Sequence, residues 1–163
     1  MIRKNGLRKD NNFETKLKKT SIKENGLWPM ERNFKIFSEI SNLRVIEKAI
    51  DEISAELDIN PENYGKIMVC TMEAVNNAII HGNKADISKI VQVNILPERE
   101  ELKISIEDQG PGFRPDKVPD PTKVENIEKL TGRGIYLMSH LADGIEFNEK
   151  GNRVTMTFKY LAV

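Results

Sequence analysis

Glu73 and Asn77 stand four residues apart in the stretch EAVNNAIIHGN, residues 73–83. On a helix that spacing puts both side chains on one face, about 40° apart. A carboxylate and an amide oxygen on one stripe suit a magnesium ion, or a catalytic base beside one. Mg²⁺ takes few protein ligands and leaves the rest to water and phosphate oxygens. Ordinary solvated helices carry such pairs too, so the pair by itself leaves both readings open. Asn is a poor helix-interior residue, because its amide competes for backbone hydrogen bonds. A helix otherwise built from Met, Val and Ile must therefore gain something by keeping Asn76 and Asn77.

Two further stretches carry chemistry. In DQGPGF, residues 108–113, Asp108 continues the alternation of Leu102, Ile104 and Ile106, so its carboxylate is expected to point inward with them. A carboxylate aimed at a core is costly unless a donor meets it. The exocyclic amine of adenine in a buried pocket would be such a donor. Gly110 and Gly112 allow a sharp turn and a close approach to a ligand, although Asp and Gly also favour a turn that merely ends a strand. In GRGIYLM, residues 132–138, Gly132 and Gly134 lead into a helix. Backbone N–H groups at the positive end of a helix dipole form a phosphate cradle, and Arg133 offers a charge-assisted bond to a phosphate. The same pattern is a common loop ending.

The elements that must position these residues follow from periodicity. Residues 33–37 read as a short strand. Residues 41–57 read as a helix with Leu43, Ile46, Ile50, Ile53 and Leu57 at three- and four-residue spacing. Asn60, Pro61 and Glu62 form a helix start, and that helix is expected to run to about Ile80 with Ile67, Met68, Met72, Val75 and Ile79 inward and Gly82 as its stop. Three strands alternate: Val91, Val93, Ile95; Leu102, Ile104, Ile106; Val154, Met156, Phe158. A turn at 97–100 and a hairpin at 148–152 join strands. Residues 114–131 form a long charged connection of the kind that serves as a lid, followed by a helix marked by Ile135, Met138 and Leu141. The expected fold is α+β, a two-layer α/β sandwich with helices on one face of a mixed, mostly antiparallel sheet.

The 163 residues amount to one domain, 39% hydrophobic and 31% charged. Before Met30, eight basic residues face three acidic ones, so this surplus of five is balanced by an acidic remainder. Residues 1–30 read as a basic, disordered extension and residues 31–163 as the domain. An acidic body argues against a nucleic-acid reader. No apolar run is long enough for a membrane span, no secretory signal is present, and the single cysteine, Cys70, excludes an internal disulfide framework and a cysteine-based zinc site. A cytoplasmic protein is expected. Cys70 reads as core, His81 as a helix-end cap, and His140 as neither ligand nor phosphoacceptor. Arg44 is a candidate partner contact or a solvated arginine.

Together the three stretches match the metal, base and phosphates of a nucleotide, and here the sequence resembles the GHKL ATP-binding domain family of histidine kinases, gyrase-type ATPases and anti-sigma factor kinases. Glu73 to Asn77 resembles its N box, Asp108 to Gly112 its G1 box, and Gly132 to Gly134 its G2 box. EAVNNAIIHGN, and the run from Gly132 to Met156, are most similar to the anti-sigma serine/threonine kinases. The resemblance implies ATP and Mg²⁺ as cofactors, Asn77 as the Mg²⁺ ligand, Glu73 as the catalytic residue that acts as base or polarises the attacking hydroxyl, and Asp108 as the adenine-binding group. It implies that Gly110, Gly112, Gly132 and Gly134 shape the pocket and the lid hinge. Arg133 is placed at the phosphates by position alone, with Lys117 and Lys123 as further candidates. The G2 box is short, with Leu130 where many relatives have another glycine.

The function implied is an anti-sigma regulatory factor that phosphorylates a Ser/Thr of an anti-sigma antagonist protein and so controls release of a sigma factor. The resemblance also allows a homodimer, and implies neither direct nucleic-acid nor membrane binding. The alternatives are a non-catalytic ATP-gated binding module and a stand-alone histidine-kinase-like catalytic domain.

Overall fold

A computed structural model describes residues 29–114 and 132–160. The basic segment 1–28 with Trp28, and the segment 115–131 with Lys117, Lys123 and Leu130, lie outside the described residues. The chain runs β1 (Arg32–Phe37), a single 3-10 turn (Ile40–Asn42), α1 (Leu43–Leu57), α2 (Pro61–Asn77), a π turn (Ala78–Gly82), β2 (Ile90–Pro97), β3 (Glu101–Glu107), α3 (Arg133–Leu141), β4 (Gly144–Phe147) and β5 (Arg153–Lys159).

The five strands form one sheet in the order β1-β2-β3-β5-β4. A mixed sheet was expected; among the described residues all four pairings are antiparallel. The alternating apolar residues fall on one face in register: Val93 opposite Ile106, Ile95 opposite Ile104, Ile104 opposite Met156. All of these are buried, as are Ile46, Ile50, Ile53 and Leu57 of α1, so the core lies between the helices and this face. Polar pairs occupy the other face, such as Ser105 with Thr155 at 2.8 Å and Lys103 with Glu98 at 3.1 Å.

Helix α2 begins as its sequence dictates. The Asn60 side chain accepts the Asn63 N–H at 2.8 Å, Pro61 takes the first helical position, and Glu62 pairs with Lys66 one turn on. Its buried stripe differs from the expected one. Ile67, Cys70, Thr71, Ala74 and Val75 are buried, continued by Ala78 and Ile79. Met68 and Met72 are only half-buried at the flank of the stripe. Small residues at the centre of the stripe bring the helix close to its neighbours, and the long flexible methionines fill the margins. The α-helix ends at Asn77 rather than near Ile80, and a π turn carries the chain to Gly82. Such turns cluster at functional sites, and this one follows Asn77 directly and ends at Gly82, against Asp108.

Cys70 is fully buried. Burial first, and the Glu73 charge second, push its thiol up to about 11. Alkylation of the native protein by iodoacetamide at neutral pH should therefore be slower than that of the urea-unfolded chain by about a hundredfold. Intact mass spectrometry reads this directly, and equal rates in both states would contradict the packing of α2.

Candidate nucleotide site

Glu73 and Asn77 are half-buried on α2 and face α3. The start of α3 approaches them at Gly134. A Cβ built on Gly134 would lie 2.9 Å from Glu73 Oε2 and 2.9 Å from Asn77 Nδ2. A side chain here would push the ends of Glu73 and Asn77 aside, so glycine lets the first turn of α3 approach this pair without displacing them. The positive end of a nine-residue helix thus sits over the carboxylate and the amide. Gly132 caps that helix with φ 101°, a left-handed conformation that glycine adopts without strain. Arg133 is exposed at the first position of α3.

Asp108 follows β3 by one residue and keeps the inward direction of Ile106. Its carboxylate lies against Gly82, where any Cβ would overlap it. Sequence reading assigned Gly82 the role of a helix stop. The structure gives it a second one, as the only residue type that leaves room for Asp108. Asp108 Oδ1 accepts the Gly110 N–H at 2.7 Å. Burial pushes the Asp108 carboxyl above the ordinary carboxylate value, against the pull of the Gly110 N–H and of Lys150. Gly110 is demanded by packing, since a Cβ there would overlap the Gly82 carbonyl.

The chain leaving this turn is clamped to the β4–β5 hairpin. Gly112 (φ 80°) crosses the Lys150 carbonyl and Gly151 (φ 77°) crosses that of Phe113 with no space for a Cβ at either. The Phe113 and Phe147 rings pack edge to face at 5.3 Å. The chain just before the expected lid is therefore anchored, and residues 115–131 lie outside the described residues.

One helical rod therefore joins the three motifs: Glu73 and Asn77 meet Gly134 on it, and Gly82 at its end meets Asp108. Among the described residues no three His, Cys, Asp or Glu side chains stand close enough to hold a metal ion. The Asn77 amide and the Glu73 carboxylate on one face of α2 are the groups that would hold Mg²⁺, which takes few protein ligands and completes its shell with phosphate and water.

The other candidates fall outside this arrangement. His81 and Arg44 are exposed. His140 binds the Tyr136 carbonyl through Nδ1 at 2.8 Å and stacks on the Tyr136 ring. Sequence reading missed Asn83 and Asn152, whose side chains bind the backbone at Asp108 and Gln109, and Gln109, whose side chain accepts the Ile90 N–H and ties the same turn to β2. Their only signal was an amide type next to a glycine, which also marks ordinary turns.

The contact of Gly82 with Asp108 makes a paired prediction. Gly82→Ala should destabilise the protein by about 1–3 kcal/mol through overlap with the carboxylate. Gly65→Ala, on the same rod with nothing within 4 Å of the added Cβ, should stabilise it by about 0.5–1 kcal/mol through helix propensity. Urea unfolding of both variants checks this, and equal shifts in one direction would contradict the packing.

Among proteins of known family, the histidine kinase-like ATPase domain matches residues 36–158. The chain is 33% identical over 113 residues to the anti-sigma F factors of Bacillus cytotoxicus and Bacillus cereus, a span of 66% of this chain and 77% of theirs. The anti-sigma F factor of Bacillus thuringiensis is 32% identical over the same length. The solved RsbU and RsbW domains of a Mycobacterium tuberculosis protein share the fold with a TM-score of 0.54 at 16% identity, covering 81% of this chain and 32% of that one. This chain thus spans about a third of the solved chain.

Proposed function

The chain belongs to the histidine kinase-like ATPase domain family, and from that premise we propose that it is an anti-sigma regulatory kinase. It binds Mg-ATP and phosphorylates a serine or threonine of a small antagonist protein, and this controls release of a sigma factor. The observation that carries the reading is the convergence of Glu73, Asn77, Gly134 and Asp108 along one helical rod. The anti-sigma F factor relatives support the regulatory part.

ATP supplies the phosphoryl group, and Mg²⁺ on Asn77 would neutralise its phosphate charge. The chain's own residues do the rest by positioning and electrostatics, which is most of what phosphoryl transfer requires. The Asp108 carboxylate accepts a hydrogen bond from the adenine amine. The N–H groups opening α3 receive phosphate oxygens, with Arg133 beside them. Glu73 takes the proton of the attacking hydroxyl. Gly112 and Gly132 bound the lid segment on either side. A homodimer through the outer face or edge of the sheet, and a cytoplasmic setting, belong to the same proposal. No helix among the described residues is long and apolar enough to cross a membrane.

Isothermal titration of ATP into the purified chain tests the nucleotide part. Saturable binding of one ATP per chain that strengthens with Mg²⁺ is expected. Absence of saturable binding with or without Mg²⁺ would sink the reading.

A further inference from the structure

The peptide unit between Asp108 and Gln109 is gripped at both ends by asparagine side chains. Asn152 Nδ2 donates to the Asp108 carbonyl at 2.8 Å, and Asn83 Oδ1 accepts the Gln109 N–H at 2.7 Å. Asn152 also takes the Asp108 N–H on its own carbonyl at 2.9 Å. With the Gly110 N–H on Asp108 Oδ1, every backbone donor from Asp108 to Gly110 is engaged.

Both clamps are themselves held. Asn83 is wholly buried, and its Nδ2 donates to Ser38 Oγ at 2.8 Å and to the Ile90 carbonyl at 2.9 Å. It thus uses two donors and one acceptor, a set that an amide supplies and a hydroxyl or carboxylate does not. Asn152 is 9% exposed, and its Oδ1 accepts Asn148 Nδ2 at 2.8 Å while its N–H donates to Asn148 Oδ1 at 3.0 Å. With that peptide plane held at its oxygen and its hydrogen, and the Asp108 N–H held on the other side of Cα, rotation about the Asp108 Cα–C bond is restrained and the direction of Cα–Cβ is set.

We propose that Asn83 and Asn152 are positioning residues for base recognition: they aim the Asp108 carboxylate so that the site selects a 6-amino purine over a 6-oxo purine. This rests on the reading of Asp108 as the adenine-binding group. A carboxylate can accept from an amine and only repels an oxo group, so the discrimination depends on where that carboxylate points.

The test compares Kd for Mg-ATP and Mg-ITP, measured by titration well below each variant's unfolding transition. Asn83→Ala removes a wholly buried amide that joins Ser38, Ile90 and Gln109 and is expected to unfold part of the chain, so Asn152→Ala, at the margin of the core, carries the test. Wild type is expected to prefer ATP. Asn152→Ala should weaken ATP binding by about tenfold and leave ITP binding unchanged, so the preference collapses. A purely structural role would lower the melting temperature and leave the ATP-to-ITP ratio untouched. That result, in a wild-type background whose preference disappears in Asp108→Asn, overturns the clamp alone. A wild type without any preference overturns the reading of Asp108, and the clamp with it.

Discussion

Replacing Glu73 with Ala is expected to lower phosphoryl transfer by about 10²- to 10⁴-fold, the usual contribution of a positioned base, with Mg-ATP binding retained. Glu73 lies on the face of α2 that meets the start of α3, where Gly134 admits its carboxylate oxygen. It contributes nothing to the turn that holds Asp108. Its negative charge beside a triphosphate opposes binding, so removing it should leave the nucleotide Kd unchanged or tighter. The measurement pairs a transfer rate with a calorimetric Kd on the same preparation. Loss of both together would remove Glu73 from the role of base and make it part of the binding site.

Asp108→Asn should weaken ATP binding by roughly 10- to 100-fold, since a hydrogen bond to a charged acceptor contributes about 1.5–3 kcal/mol. The same change should not cost stability. Burial holds the Asp108 carboxyl above its ordinary value, so between that value and the raised one the folded state holds more protons than the unfolded state. Stability contributed by this group is therefore present at low pH and lost as pH rises through that window. At neutral pH the ionised carboxylate is a cost that the amide removes, while the amide oxygen still accepts the Gly110 N–H. The variant should melt at or above the wild-type temperature at pH 7, and its advantage should shrink as the pH falls toward the ordinary carboxylate value. A variant that binds ATP as wild type does, or that melts well below it at pH 7, would contradict the account. Function at this position opposes stability, as expected where a site keeps a strained or costly group.

Much of this could be read from the sequence, and the reasons are local. Alternation in Val91 to Ile95, Leu102 to Ile106 and Val154 to Phe158 determined which strand face is buried, because a one-residue slip would expose every one of these side chains. The Asn60-Pro61 start of α2 rests on capping within four residues. Strand parity gave the inward direction of Asp108. The spacing of Glu73 and Asn77 put them on one stripe, but that Gly134 closes on them depends on how α3 docks. The π turn escaped because hydrophobic periodicity does not register one extra residue near a helix end. Asn83 and Asn152 escaped for a stronger reason. Their hydrogen bonds reach 26 and 44 residues along the chain, and a buried amide at a turn has the same local sequence as a solvated one.

Capture of partners on the purified chain from a lysate of its own cells, with Mg-ATP or Mg-ADP and phosphosite mass spectrometry, tests the central claim most directly. The account predicts a small partner protein that gains acid-stable phosphoserine or phosphothreonine with Mg-ATP and wild-type chain, and does not gain it with Glu73→Ala. A partner modified only on acid-labile histidine, or one bound in a nucleotide-dependent manner without phosphate in either condition, would contradict it.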